Sequence, residues 1–354
     1  MLDFNVQSLI HNYKVKFIKD TGYELKNLVK KGDVIIVDER INQLYPDIFQ
    51  NLRFQNKVIL LTANENQKSY EGIKYVIEEL LKSGFKKNNK LIAIGGGIIQ
   101  DVTAFISSVI FRGVKWFFFP TTLLAQGDSC IGSKTSINFG KYKNQLGGFY
   151  PPNKICINLK FLDTLSQADI QSGFGEMSHY FVIKGKEPFQ NFKNAYLKKD
   201  FNEVPLAQII SKSLLIKKEM IEIDEFDRKE RQIFNYGHSF GHAIESLTNY
   251  SIPHGIAVSF GMDIANYISV KQNYLKESVR DEIRDFLINF WNDYSIKNLE
   301  VNKFLHALSK DKKNIGNKLR IILCKGYGSV FISTQEVNHE FKKLINSYFK
   351  KQAY

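Results

Sequence analysis

Cysteine is scarce in this chain. Its three cysteines (Cys130, Cys156 and Cys324) are odd in number, widely separated and free of any C-x-x-C spacing. A disulfide framework and a cysteine-based metal knuckle are both excluded, and the usage fits a reducing cytoplasm. Long apolar runs are missing too. The most apolar region, Val109 to Ala125, is broken by Arg112, Lys115 and Pro120, and falls short of the roughly 18 to 20 apolar residues of a membrane span. Met1-Leu2-Asp3-Phe4-Asn5 has no basic segment followed by an apolar core, so no signal peptide is expected. Internal repeats and low-complexity tracts are also lacking. What remains is an ordinary globular composition, 44% hydrophobic and 24% charged over 354 residues, long enough for two domains.

Charge is the one strong bias. Lysine and arginine number 49 against 36 acidic residues, a formal net charge of +13. The excess is mostly lysine, spread through Lys26 to Lys31, Lys82 to Lys90, Lys193 to Lys199 and Lys350-Lys351. Readers of nucleic acid tend to use arginine forks and aromatic platforms, and no RRM, zinc-finger or helix-turn-helix signature is present. Solvated lysine faces and a positive field that draws in small anionic substrates are therefore expected, with neither nucleic acid nor membrane as partner.

The first half alternates two periodicities. Asp33 to Val37, Lys57 to Leu61, Leu91 to Ile94 and Lys115 to Phe119 read as strands, with helical spacing over Ile41 to Phe49, Ser69 to Leu81 and Ile98 to Ile110. Such alternation predicts a parallel sheet with helical crossovers, an architecture that commonly binds nucleotides. Gly147-Gly148-Phe149-Tyr150-Pro151-Pro152 reads as loop. Beyond it long helical patterns dominate: Ala168 to Ile183, Leu206 to Ile223, Phe240 to Thr248, Ile256 to Val270 and Val279 to Trp291. Leu319 to Cys324 is the one late strand-like stretch. We expect an α/β domain over 1–160 and a mainly helical domain over 161–354, with the active site in the cleft between them.

Four groups of residues can carry chemistry. Gly95-Gly96-Gly97 follows a strand and opens a helix, which lets backbone N–H groups approach a phosphate. The spacing is not G-x-G-x-x-G, so a tight turn without ligand explains it equally well. His238 and His242, at i and i+4, share one helix face, and His254 follows, so three of the seven histidines fall in one short segment. A catalytic zinc site needs three N or O ligands and one open position. Spacing leaves open which two histidines would ligate. Glu176 and His179, at i and i+3, share a face of another helix; Glu176 lies beside Gly173 and Gly175 and is a further ligand candidate. Arg112, Thr121, Thr122, Asp128, Lys134, Lys143, Asn144, Lys217 and Arg231 are of types that bind anions, several of them set among small and apolar residues.

These motifs, in this order, resemble the 3-dehydroquinate synthase family of sugar-phosphate cyclases from Asp38 to about Gly326. Glu65 and Lys68 are similar to G-E-x-x-K, with Asn64 for the glycine. Gly95 to Asp101 resembles G-G-G-x-x-G-D, Pro120 to Leu124 is P-T-T-L-L, and Asp128 to Asn138 resembles D-S-x-x-G-G-K-T-x-x-N. Lys143-Asn144, Phe161 to Leu165, Arg231 with Asn235, G-H-x-x-G-H-A-I-E and Pro253-His254-Gly255 complete the series. The resemblance implies Glu176, His238 and His254 as ligands of zinc or cobalt, with His242 near the leaving phosphate. It implies NAD against Asp38, Glu65, Lys68, Gly96, Gly97, Asp101, Thr121, Thr122, Lys143, Phe161 and Thr164. Substrate would meet Asp128, Lys134, Asn144, Lys217, Arg231, Asn235 and one of Lys312 and Lys313, and Arg112 would reach a neighbouring subunit, implying a homodimer.

Three departures stand out. Gln100 and Ser133 replace glycines of the motifs, and His179 replaces a lysine that faces substrate in the family. A histidine there supplies less positive charge to the ring hydroxyls. The implied reaction is cyclisation of a carboxylated heptulosonate 7-phosphate with loss of phosphate, NAD being regenerated within turnover. A cyclase acting on another sugar phosphate, a metal-dependent polyol dehydrogenase, and a degenerate homologue serving as a basic binding protein are the alternatives.

Overall fold

The computed structural model describes residues 2–54, 56–140, 142–199, 202–310, 318–351 and 353–354. The chain forms two compact units: Met1–Ser166 with Asn202–Phe226, and Gln167–Phe201 with Asp227–Tyr354. Thus the Glu203–Ile223 helix, although it follows two helices of the second unit, belongs to the first.

The first unit is built on a seven-stranded sheet. Its strands are β1 (Phe4–Val6), β2 (Tyr13–Phe17), β3 (Val34–Asp38), β4 (Lys57–Leu61), β5 (Leu91–Gly95), β6 (Trp116–Pro120) and, after the separate hairpin β7 (Lys134–Phe139) and β8 (Tyr142–Phe149), β9 (Lys154–Ile157). The spatial order is β1-β2-β9-β6-β5-β3-β4, parallel except at β1–β2. Strands such as β3 and β5 are near-continuous apolar runs because helices cover both faces of a parallel sheet. Val37, Ile94, Phe119 and Phe161 belong to one buried cluster beneath it. Strand order reverses between β3 and β5, a topological switch point at whose carboxyl edge α/β sheets bind ligands.

Three local expectations give way. The helical pattern over Ile41 to Phe49 is two helices, Glu39–Leu44 and Pro46–Arg53, because Pro46 cannot continue a helix and instead starts the next. The stretch 147–152, read as loop, begins inside β8. Gly147 sits where the hairpin strands press together, and a Cβ there would lie 1.9 Å from the Thr135 carbonyl. The pair β1–β2 and strand β9 were not anticipated: Y-K-V-K-F is too polar, and K-I-C-I too short, to stand out.

The second unit is mainly helical, as its spacing predicts, with helices Gln167–Lys184, Lys186–Leu197, His238–Leu247, His254–Lys271, Glu277–Leu287, Val301–Ser309 and His339–Lys351. The late strand pairs with a second, giving the antiparallel hairpin β10 (Lys318–Gly326) and β11 (Ser329–Glu336). Among the described residues no helix is long and apolar enough to cross a membrane.

Candidate active site

In the second unit, close helix packing brings together a set of candidate metal donors. Glu176 lies mid-way along the Gln167–Lys184 helix, and His238 and His254 each open a helix. Glycine brings these backbones together: a Cβ on Gly255 would sit 1.8 Å from the Ser172 carbonyl, and one on Gly261 would sit 2.0 Å from the Gly237 carbonyl. Gly237 itself is left-handed (φ 86) at the N-cap of the helix that starts with His238, a conformation glycine adopts without steric cost. As a result His238 Nε2 lies 3.2 Å from Glu176 Oε1, and His254 Nε2 lies 3.5 Å from Glu176 Oε2. Glu176 is only 2% exposed. The other ring nitrogen of His254, Nδ1, is 3.1 Å from Glu245 Oε2. Donating Nδ1–H to that carboxylate, the ring would present its Nε2 lone pair toward Glu176.

His242 is exposed one turn beyond His238, its ring 5.7 Å from those of His238 and His254. With Glu245 and His254 it forms a second group of closely spaced donors. His179 is wholly buried. Its ring stands edge-on to that of His238 at 5.2 Å, and Nδ1 is 2.5 Å from the Glu176 carbonyl oxygen. In this position it backs the donor set and offers no surface to solvent. Arg231 is buried in the Glu230–Asn235 turn that leads into His238, and Asn235 Nδ2 donates to the Gln232 carbonyl at 2.9 Å.

In the first unit, Asp38, Gly96, Gly97, Thr121 and Thr122 come together at the carboxyl ends of the adjacent strands β3, β5 and β6. Thr121 N–H donates to the Gly95 carbonyl at 3.0 Å. Gly96 approaches Thr122 so closely that a Cβ would meet its methyl at 2.9 Å. Burial pushes the Asp38 carboxyl above the usual aspartate value, against the stabilising Arg40 N–H. Lys68 Nζ pairs with Asp101 Oδ2 at 2.5 Å and Lys143 Nζ with Glu65 Oε1 at 2.8 Å. Desolvation would raise Glu65, but Lys143 and Asn138 outweigh it and hold this carboxyl below its ordinary value. Asn144, left-handed at φ 53, donates its N–H to Asn138 Oδ1 at 3.0 Å. Thr164 Oγ1 lies 3.1 Å from the Tyr45 hydroxyl, while Phe161 is a core residue.

Lys217 Nζ donates to Asp128 Oδ1 at 2.6 Å and to the Asp128 carbonyl at 2.8 Å. Lys134 is exposed at the start of β7, and Arg112 is exposed in a turn where Phe111, Arg112 and Gly113 all have positive φ. Lys312 and Lys313 lie outside the described residues. Sequence reasoning missed Glu245 as an orienting group. The only signal was a carboxylate one turn after His242, and the loop that brings it to His254 is invisible to helical spacing.

The family described as 3-dehydroquinate synthase N-terminal matches residues 58–172, and that described as 3-dehydroquinate synthase C-terminal matches residues 173–314. The chain belongs to the 3-dehydroquinate synthase family. It is 38% identical over 283 residues to the 3-dehydroquinate synthase of Dictyoglomus turgidum, covering 78% of this chain and 79% of that protein. Two solved members of the same fold are each 20% identical. One is 2-epi-5-epi-valiolone synthase from Streptomyces hygroscopicus with NAD+ and Zn2+ bound, with a TM-score of 0.88, covering 99% of this chain and 100% of that chain. The other is 2-deoxy-scyllo-inosose synthase complexed with carbaglucose-6-phosphate, NAD+ and Co2+, with a TM-score of 0.84 and 99% of both chains covered. These synthases share its two-part build, a parallel-sheet α/β part followed by a mostly helical part.

Proposed function

We propose that this protein is a 3-dehydroquinate synthase, cyclising 3-deoxy-arabino-heptulosonate 7-phosphate with elimination of phosphate. The observation that carries the reading is the donor set Glu176, His238 and His254. Four-coordinate zinc with ligand bonds of about 2.0–2.1 Å sets its donors about 3.3 Å apart, close to the 3.2 and 3.5 Å found here. Two imidazole nitrogens and one carboxylate are also the ligand types of an open catalytic zinc site. NAD bound at the switch point of the sheet and zinc or cobalt on these donors would supply a reversible hydride acceptor and acidification of the substrate alcohol.

The chain's own groups then divide the remaining work. Glu176, His238 and His254 hold the cation, and Glu245 fixes the tautomer of His254. His242, one turn from His238, holds a proton beside the leaving phosphate. Asp128, Lys134, Asn144, Lys217, Arg231 and Asn235 bind the substrate's carboxylate, phosphate and hydroxyls. Lys217 spends two of its three ammonium donors on Asp128, so its position is set before substrate arrives. Asp38, Gly96, Gly97, Thr121 and Thr122 line the dinucleotide position, with Glu65, Lys68, Asp101, Lys143, Phe161 and Thr164 around it. A homodimer belongs to the same reading, supported by the outward turn that presents Arg112. A cytoplasmic location does too, in keeping with three free, buried cysteines.

Phosphate release from 3-deoxy-arabino-heptulosonate 7-phosphate and from sedoheptulose 7-phosphate, compared at equal concentration, tests the proposal. The carboxylated sugar is the expected substrate, because the family resemblance assigns Arg231 and Lys134 to the substrate's carboxylate, and a guanidinium fork matches that group's geometry. Turnover of sedoheptulose 7-phosphate alone would overturn it.

A further inference from the structure

Residues 125–134 carry both Asp128 and Lys134. They begin as one turn of π-helix, Ala125–Ser129, in which the Cys130 N–H reaches back to the Ala125 carbonyl at 3.1 Å. Turns of this kind leave carbonyls outside the ordinary helical ladder. Three successive carbonyls here are taken by side chains. Ser213 Oγ donates to Gly127 at 2.8 Å, Lys217 Nζ to Asp128 at 2.8 Å, and Gln100 Nε2 to Ser129 at 2.6 Å. Gln100 also accepts from Ser129 Oγ at 2.6 Å, which closes a reciprocal pair.

The far end of the segment is fastened separately. Gly132 and Ser133 are left-handed, with φ of 109° and 64°, a strained state for serine. The Gly132 N–H donates to the Tyr13 hydroxyl at 3.1 Å, and Ser133 Oγ donates to Glu225 Oε1 at 2.8 Å. That carboxylate also accepts from Ser8 Oγ and from the Leu9 N–H, both at 2.7 Å. Gln100, Ser133 and Glu225 are 6%, 6% and 4% exposed, so water competes little for these bonds.

Both fastenings use a side chain at a position where the family motif has glycine, which could form neither. We propose that Gln100 and Glu225 are positioning residues. Acting through Ser129 and Ser133, they hold Asp128 and Lys134 in register for the anionic substrate. This rests on the cyclase reading above.

The test uses full-length Gln100→Met and Glu225→Gln, with Ser133→Gly as a variant that relieves the backbone and deletes only the Glu225 bond. Four quantities are measured: kcat and KM for the heptulosonate phosphate, NAD affinity, bound metal, and amide hydrogen exchange over 125–134. We expect kcat/KM to fall by about 10- to 100-fold, the scale of a small misplacement. NAD affinity and metal content stay at wild-type values, and exchange over 125–134 becomes faster. Gln100→Met/Ser129→Ala should lose no more than Gln100→Met alone, since that variant already deletes both bonds to Ser129, whereas Ser129→Ala keeps the one to its carbonyl and should lose less. Wild-type kcat/KM in the folded variants, or a loss mirrored in NAD affinity, overturns the proposal. Should wild type release no phosphate, the cyclase reading fails and exchange alone decides: faster exchange supports the fastenings, and unchanged protection refutes them.

Discussion

Replacing Glu245 by alanine should weaken zinc binding at the proposed Glu176, His238 and His254 site without removing any of those three side chains. Glu245 Oε2 lies 3.1 Å from His254 Nδ1, so the carboxylate fixes which nitrogen carries the proton and how the ring is turned. Removal of such an orienting carboxylate costs about 10- to 100-fold in metal affinity, or about 1.4–2.7 kcal/mol. The side chain is only 14% exposed, so water replaces it poorly and the upper half of that range applies to Glu245→Ala. Glu245→Gln keeps an acceptor oxygen but not the charge, and belongs in the lower half. Competition for zinc against a chromophoric chelator, at pH 7 on metal-stripped protein, measures both. Equal zinc affinity in wild type and Glu245→Ala would refute the reasoning.

Asp263 is fully buried and accepts from Arg280 Nε at 3.0 Å, from Arg284 and from the Tyr348 hydroxyl at 2.8 Å. Asp263→Ala takes this carboxylate from the buried Arg280 and the half-buried Arg284 and should cost about 3–5 kcal/mol, a drop in melting temperature of roughly 10 °C. Gly255→Ala drives a Cβ into the Ser172 carbonyl; overpacking costs about 1–3 kcal/mol, and metal content should fall because Glu176 and His254 are forced apart. Burial would raise the Glu24 carboxyl, but Lys154 and Lys16 together hold it below the ordinary glutamate range. Its contribution to stability is therefore complete above that range and lost as pH falls through the lower folded value, so acid unfolding of Glu24→Gln should depend less steeply on pH than that of wild type.

Much of this was legible in the sequence because the decisive signals are local. Strands β3 to β6 announce themselves as apolar runs, since both sheet faces are covered, and Ser69 marks a helix start by accepting from the Gly72 N–H at 3.1 Å. The i, i+4 histidines fix a helix face whatever surrounds it. What stayed hidden depends on pairing across distance. The β7–β8 hairpin is polar, and only its neighbour strand explains Gly147. His179 sits where the family has a substrate-facing lysine, yet its ring is packed behind His238, a placement its position along the helix could not distinguish.

Whether NAD is recycled or consumed bears most directly on the central claim. Protein, NAD and 3-deoxy-arabino-heptulosonate 7-phosphate are mixed in one cuvette, and inorganic phosphate and NADH absorbance are followed together. Many equivalents of phosphate per chain with NADH never exceeding one equivalent per site is the predicted result. NADH rising in step with turnover, without phosphate release, would contradict it and identify a dehydrogenase.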